Sequence, residues 1–169
     1  VQADPIRAPA RAQDLCLRPR VKGYRAGDLE RLYPTLPIEE DFFVNYGFVT
    51  RTVWELMHPR PPSDGWDATT RRRARELLAF VRERGRVHPR QVEAHFEHGR
   101  VRNYWGGSSN ATTHLLDQMQ YRGLLRIAGR ERKARFFKIA FSNGPVARGC
   151  FNAFEALAHD EVDDPADSV

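Results

Sequence analysis

The hydrophobic positions of residues 109–122 repeat at helical spacing. Leu115, Leu116 and Met119 share one face of the predicted helix. A second face carries a polar side chain at every fourth position: Asn110, His114, Gln118 and Arg122. Ser109 is the predicted N-cap, and Gly123 is predicted to end the helix.

The pattern after Gly123 changes to the alternation of a β-hairpin. Residues 124–128 are predicted to form a strand, 129–133 a turn and 134–140 the returning strand. A helix, a tight stop and a hairpin in this order are typical of a winged helix. In that fold the helix enters the major groove of DNA and the hairpin lies along the phosphates.

The residues before this unit complete the predicted winged-helix domain. Residues 69–84 place Ala74, Leu77, Leu78 and Val81 on one face of a helix, and its arginines are predicted to form a solvated face. A short strand at 86–88 and a helix at 89–96, opened by Pro89, follow. The domain is therefore predicted to cover residues 67–140.

The N-terminal part predicts a second, partial unit of the same kind. Helices are expected at 8–18, 25–33 and 52–58, with an aromatic strand or hairpin at 42–50. The proline-rich residues 59–66 predict a linker, so residues 1–58 form a partial first winged-helix-like domain. Residues 141–169 are expected to form a helix and an acidic disordered tail. The predicted fold class is α+β, mainly helical, with tandem winged-helix domains and small β-hairpin wings.

Charge is concentrated in the predicted winged-helix domain. Residues 68–140 contain 17 Lys or Arg and only 6 Asp or Glu. The hairpin alone carries Arg126, Arg130, Arg132, Lys133, Arg135 and Lys138 beside the single acid Glu131. Like charges at this spacing repel each other, and a bound polyanion would offset the repulsion. Double-stranded DNA is therefore the predicted partner, and an incidental arginine bias on a solvated hairpin is the alternative.

The predicted DNA contacts follow from this arrangement. Arg130, Arg132 and Lys133 at the hairpin tip are expected to contact phosphates. The remaining predicted contacts are Arg126, Arg135, Asn110, His114, Gln118, Tyr104 and Trp105. His114 faces either DNA or the helix surface. Tyr104 and Trp105 either stack on bases or pack in the core.

Other chemistry finds little support in the sequence. His95 and His98 lie three residues apart, but no third ligand is evident, so a surface cluster is favoured over a metal site. No metal, cofactor or membrane partner is predicted. Cys16 and Cys150 match no metal or redox spacing, which favours the reducing cytoplasm, in association with the nucleoid. Because the chain begins at Val1, it is expected to be a fragment of a longer protein.

Three stretches together resemble one family. They are VQADPI at 1–6 followed by RAQDLCLRPRV, then YRAGDLERLY at 24–33, and finally residues 85–140 with GRV, YWGG and LLDQMQYRGLL. In this order they resemble the winged-helix DNA glycosylases of the AlkZ and YcaQ type, possibly as a truncated member. The resemblance implies base-excision repair of alkylated bases and interstrand crosslinks, with Gln2 and Asp4 matching the family's Gln-hydrophobic-Asp motif.

Gln2 and Asp4 are the candidate catalytic residues. Residues two apart in a strand point to the same side, so both could face one bound sugar. Breaking an N-glycosidic bond develops positive charge on the sugar, which a carboxylate stabilises. The resemblance assigns Asp4 as stabiliser or base and Gln2 as the residue that orients water. The alternative is that Asp4-Pro5 simply begins a turn.

The sequence thus favours a monofunctional DNA glycosylase that hydrolyses the N-glycosidic bond of alkylated or crosslinked bases in duplex DNA. The alternative is a winged-helix DNA-binding protein without catalysis, either a regulator or a truncated relative. A protein-interaction module is a third possibility, which the basic hairpin disfavours.

Overall fold

A computed structural model describes residues 1–3, 10–60, 65–96, 98–102, 108–131 and 134–140. These residues form three two-stranded antiparallel sheets, a 3-10 turn (Tyr33–Thr35) and six α-helices. The helices are α1 (Ala12–Leu17), α2 (Asp28–Leu32), α3 (Arg51–Met57), α4 (Ala68–Arg84), α5 (Pro89–His95) and α6 (Ala111–Tyr121). The predicted α+β class is confirmed. Residues 141–169, predicted as a helix and an acidic tail, lie outside the described residues.

The aromatic segment forms the second strand of a hairpin whose first strand is acidic. β1 (Ile38–Phe42) pairs with β2 (Tyr46–Thr50), from Ile38 opposite Thr50 to Phe42 opposite Tyr46. The prediction of a strand or hairpin at 42–50 therefore began four residues too late. The sequence Ile-Glu-Glu-Asp-Phe lacks the apolar alternation of a half-buried strand, because its three acids are themselves buried.

The first residues of the chain extend this hairpin. Gln2 forms a β-bridge with Gly47, and the Ala3 amide donates to the Tyr46 carbonyl at 2.9 Å. Residues 1–3 therefore lie along the edge of β2 that β1 leaves open.

Helix α4 is close to its prediction. The Asp67 side chain caps it by accepting from the Thr70 amide at 2.6 Å, and Gly85 ends it with a φ of 70°. Its buried face contains the predicted Ala74, Leu77, Leu78 and Val81, together with Phe80. Before α5, Val87 forms a single bridge with Phe137, which corresponds to the short strand predicted at 86–88.

Helix α6 also matches its prediction, except at its N-terminus. The N-cap is Asn110, whose side-chain oxygen accepts from the Thr112 amide at 2.8 Å, so the prediction of Ser109 was wrong. Ser109 instead belongs to β4 (Ser108–Asn110), which pairs with β3 (Arg100–Arg102). Gly123 ends the helix with a φ of 79°, as predicted.

The hairpin after α6 consists of β5 (Leu125–Glu131) and β6 (Ala134–Ile139). β5 continues to Glu131, beyond its predicted end at residue 128, which shortens the turn, and the register shifts between Ile127 and Gly129. A helix followed by this hairpin is compatible with a winged helix. We call residues 125–139 the basic hairpin.

One hydrophobic cluster joins both sides of the predicted linker. Leu29, Tyr33 and Phe48 belong to the same buried cluster as residues of α4, α6 and the basic hairpin. The Tyr33 hydroxyl donates to the Ile127 carbonyl at 3.2 Å and accepts from the Glu40 amide at 3.1 Å. The division into two domains at 59–66 stays a prediction.

Candidate active site and nucleic-acid interface

Gln2 has an exposed side chain at the edge of the β1–β2 hairpin. Its backbone approaches Gly47 so closely that a Cβ at position 47 would lie 3.0 Å from the Gln2 Cα and collide with the Val1 carbonyl. Only glycine allows this approach without a shift of the backbone. Asp4, the second predicted catalytic residue, lies outside the described residues.

Asp41 lies opposite Gly47 in the same hairpin and is fully buried. Its carboxylate accepts from Trp54 Nε1 at 2.6 Å, contacts His58 Nε2 at 2.7 Å and binds Arg60 Nη1 at 3.1 Å. Removing a partner from this buried carboxylate is costly, because part of its negative charge is then left uncompensated away from water. This cluster fixes β1 to α3 and to the residues after it. It was not predicted, although three consecutive acids flanked by apolar residues were a usable signal.

The other two acids of β1 bind arginines of the basic hairpin. Glu39 Oε1 lies 3.1 Å from Arg51 Nε and 3.0 Å from Arg126 Nη1. Burial raises the pKa of Glu39 despite these two guanidinium groups. Glu40 accepts from Arg130 Nε at 3.0 Å and also contacts Arg130 Nη2.

The ion pair with Glu40 holds Arg130 in its charged form. Burial acts to lower its pKa, but the hydrogen bond and the charge of Glu40 outweigh burial, and the pKa of Arg130 rises. The Glu40 carbonyl also accepts from the Gln120 side chain at 2.8 Å, so β1 is bound to both α6 and the basic hairpin.

Arg135 connects the returning strand of the basic hairpin to α6 and β2. Its Nη2 lies 2.6 Å from Asp117 Oδ1, and its Nη1 donates to the Gln120 side-chain oxygen at 3.2 Å and to the Tyr46 hydroxyl at 3.3 Å. Burial, followed by the charge of Glu40, raises the pKa of Tyr46 to about 12, so this hydroxyl stays protonated at neutral pH.

These contacts change the interpretation of the hairpin's charge. The predicted DNA contacts Arg126, Arg130 and Arg135 each bind an acid of the chain itself. For these three arginines, the repulsion from which a polyanion was inferred is offset by Glu39, Glu40 and Asp117. Burial lowers the pKa of Lys138, another cation of the hairpin. Arg132 and Lys133 lie outside the described residues.

The polar face of α6 is partly free for a ligand. Asn110 and His114 have exposed side chains. Gln118 is held in place because its oxygen accepts from Trp66 Nε1 at 3.0 Å, while its nitrogen lies 3.2 Å from His114 Nε2. A pocket of about 310 Å³ opens beside this face, between α6 and the start of α4. Tyr104 and Trp105 lie outside the described residues.

The two histidines considered for a metal site have other surroundings. His95 stacks on Phe80 with ring centroids 4.5 Å apart, and His98 Nδ1 lies 3.3 Å from the Thr112 hydroxyl. Within the described part of the chain, no three His, Cys, Asp or Glu side chains are arranged to hold a metal ion. Among the same residues, no helix is long and apolar enough to cross a bilayer.

These features define the class as a small α+β protein with an arginine-rich hairpin next to a polar helix face. The family follows from the sequence: the model of the family described as DNA glycosylase AlkZ-like matches residues 1–160. The chain therefore belongs to the AlkZ-like DNA glycosylase family, as the resemblance indicated. No curated protein and no solved structure matches it. Membership implies a glycosylase-like function in the broad sense, and with it DNA binding.

Proposed function

We propose that this protein is a monofunctional DNA glycosylase that hydrolyses the N-glycosidic bond of alkylated or crosslinked bases in duplex DNA. The observation that carries the proposal is the position of Gln2. Its side chain is exposed on a sheet edge that Gly47 keeps open to the backbone of residues 1–2, within the region matched by the family.

The proposed chemistry uses Gln2 and Asp4 together. Alternate residues of a strand share a face, which is the reason for assigning Asp4 to the same side as Gln2. The ionised Asp4 carboxylate stabilises the positive charge that develops on the sugar as the bond to the base breaks. Gln2 orients a water molecule for attack on the anomeric carbon, and Asp4 accepts its proton. A purine alkylated to a cation departs with the bonding electron pair as a neutral base.

The proposed DNA interface is that of a winged helix. Helix α6 enters the major groove with Asn110 and His114 toward the bases, and the tip residues Arg132 and Lys133 contact phosphates. Tyr104 and Trp105 are proposed to stack on bases. The exposure of Asn110 and His114 supports this orientation. Arg126, Arg130 and Arg135 are proposed to hold the basic hairpin in place.

The test is release of 7-methylguanine from a duplex, measured by chromatography of the freed base. We expect release by the unmodified protein. In Asp4→Asn, release falls at least 100-fold while DNA affinity stays within about twofold, because the amide lacks the negative charge that stabilises the sugar cation. Glu55→Gln, at an exposed position of α3, is the matched control and keeps full activity. DNA binding without any release by the unmodified protein would support the non-catalytic alternative.

A further inference from the structure

We propose that the pocket between α4 and α6 binds an unpaired nucleobase, with DNA as its source. We call it the α4–α6 pocket. Its volume of about 310 Å³ is in the range of small-molecule sites and accommodates a base with part of its sugar. The choice of DNA as the source rests on the proposed function, whereas the chemistry of the pocket does not.

The floor of the pocket suits a flat heterocycle. Trp66, Ala111 and Leu115, each less than a tenth exposed, line it together with Val101. Apolar walls with a few fixed polar groups are typical of sites that bury planar ligands. The Arg122 guanidinium carbon lies 4.1 Å from the centroid of the Trp66 ring, and this contact helps to hold the floor of the pocket in place.

The polar groups of the pocket form an ordered chain. Because Trp66 Nε1 can only donate, it fixes the Gln118 oxygen as an acceptor and turns the Gln118 nitrogen toward His114. His114 Nε2 then accepts, which leaves its Nδ1 as a donor. The second hydrogen of the Gln118 amide is another donor. The pocket thus presents oriented N–H groups, which suit the ring nitrogens and carbonyl oxygens of bases.

Two charged side chains line the pocket, Asp67 and Arg73, and their opposite signs give a phosphate no net attraction. Burial, followed by the charge of Arg73, lowers the pKa of His98, so this lining residue is neutral at pH 7. Hydrogen bonds from Thr70 lower the pKa of Asp67, which keeps a negative charge at the rim. That carboxylate repels a phosphate but accepts hydrogen bonds from an exocyclic amino group.

The pocket is separate from the candidate catalytic residue. Of the described residues that line it, none belongs to residues 1–3 or to the β1–β2 hairpin. Its His114 and Gln118 lie on the polar face of α6, which is the face proposed to approach DNA. Under the proposed function, a base that leaves the duplex beside α6 therefore lies next to the pocket.

The test compares three fluorescent duplexes by anisotropy: fully paired, with one unpaired adenine, and with an abasic residue at the same position. We expect the protein to bind the adenine duplex about tenfold more tightly than the abasic duplex, as base stacking and burial predict. Thr70 lines the pocket. The variant Thr70→Phe should abolish this preference without lowering the affinity for the abasic duplex. The neighbouring Thr69 is exposed on the same helical turn, so Thr69→Phe should keep the preference.

Equal affinity for the adenine and abasic duplexes, or an unchanged preference in Thr70→Phe, would overturn the proposal. If the protein binds none of the duplexes, the proposed function fails and DNA is excluded as the source. Calorimetry with free deoxyadenosine then tests whether the pocket binds a nucleobase at all. Binding that Thr70→Phe lacks would support a nucleobase site for free nucleosides, and no binding would overturn it.

Discussion

Arg130 Nε donates to Glu40 Oε2 at 3.0 Å, and the two residues are 90 positions apart in the sequence. The Glu40 side chain is almost completely buried, and Arg130 is largely covered. The pair joins the basic hairpin to β1, and β1 is joined by Asp41 to α3 and His58. An arginine that the sequence assigned to DNA is therefore part of the contact that orients the hairpin.

Removing Arg130 should destabilise the fold. Arg130→Met leaves the buried Glu40 carboxylate without its cation, and we expect a loss of about 3 kcal/mol in the free energy of unfolding, measured by urea denaturation. The double variant Arg130→Met, Glu40→Leu should recover most of this loss because no buried charge remains. The control Arg72→Met breaks an exposed pair with Glu76 and should cost less than about 0.5 kcal/mol. Equal losses in the two single variants would contradict a structural role.

If the paired arginines of the basic hairpin have a structural role, they should contribute little to the salt dependence of DNA affinity. A lysine or arginine that neutralises a phosphate contributes about 0.9 to the slope of log affinity against log salt concentration. We expect Lys133→Met to reduce the slope by about that amount. Arg135→Met should leave it unchanged, because Arg135 binds Asp117, Gln120 and Tyr46. A lower slope in Arg135→Met, with the fold intact by circular dichroism, would instead show that Arg135 neutralises a phosphate.

The sequence predicted the helices better than the acids that bind the hairpin. The burial of Leu115, Leu116 and Met119 follows from helical spacing, which is a local property. The burial of the acids of β1 was not predicted. A buried strand with three acidic side chains is stable only when distant residues neutralise their charges. Glu40 finds Arg130 90 positions away, and no local pattern contains that information.

In the candidate site, too, local features were predicted from the sequence and features that depend on distant residues were not. Gln2 was identified from a short motif and a resemblance, and its exposure on a sheet edge agrees with a role toward a ligand. The α4–α6 pocket was not predicted, although His114 and Gln118 were singled out. The pocket depends on Trp66, 52 positions before Gln118, and on His98, and only the tertiary fold brings these residues together. The N-cap was predicted one residue too early, at Ser109, because serine and asparagine suit that position about equally and local sequence does not distinguish them.

His98 predicts a dependence of stability on pH. Its pKa in the folded protein lies below the ordinary 6.5, so the unfolded chain binds the proton more readily. The contribution of His98 to stability is therefore complete above pH 6.5 and is lost as pH falls through its lowered pKa. His98→Gln cannot titrate. We expect the stability difference between the unmodified protein and this variant to be constant above pH 6.5 and to shift toward the variant below it, in urea denaturation at several pH values. A constant difference from pH 7.5 to pH 4.5 would contradict a lowered pKa.

Gly47 is predicted to position Gln2 for catalysis. A methyl group at position 47 would collide with the Val1 carbonyl and lie 3.0 Å from the Gln2 Cα, so Gly47→Ala must push residues 1–3 away from β2. Because a displacement of about 1 Å costs about 100-fold in rate, 7-methylguanine release should fall by about that factor, with DNA affinity unchanged. Gly129 is the matched control, since it is also a strand glycine, and a Cβ there meets nothing within 4 Å. Gly129→Ala should therefore retain release. If both variants release the base at the unmodified rate, the edge of β2 does not position the catalytic residue.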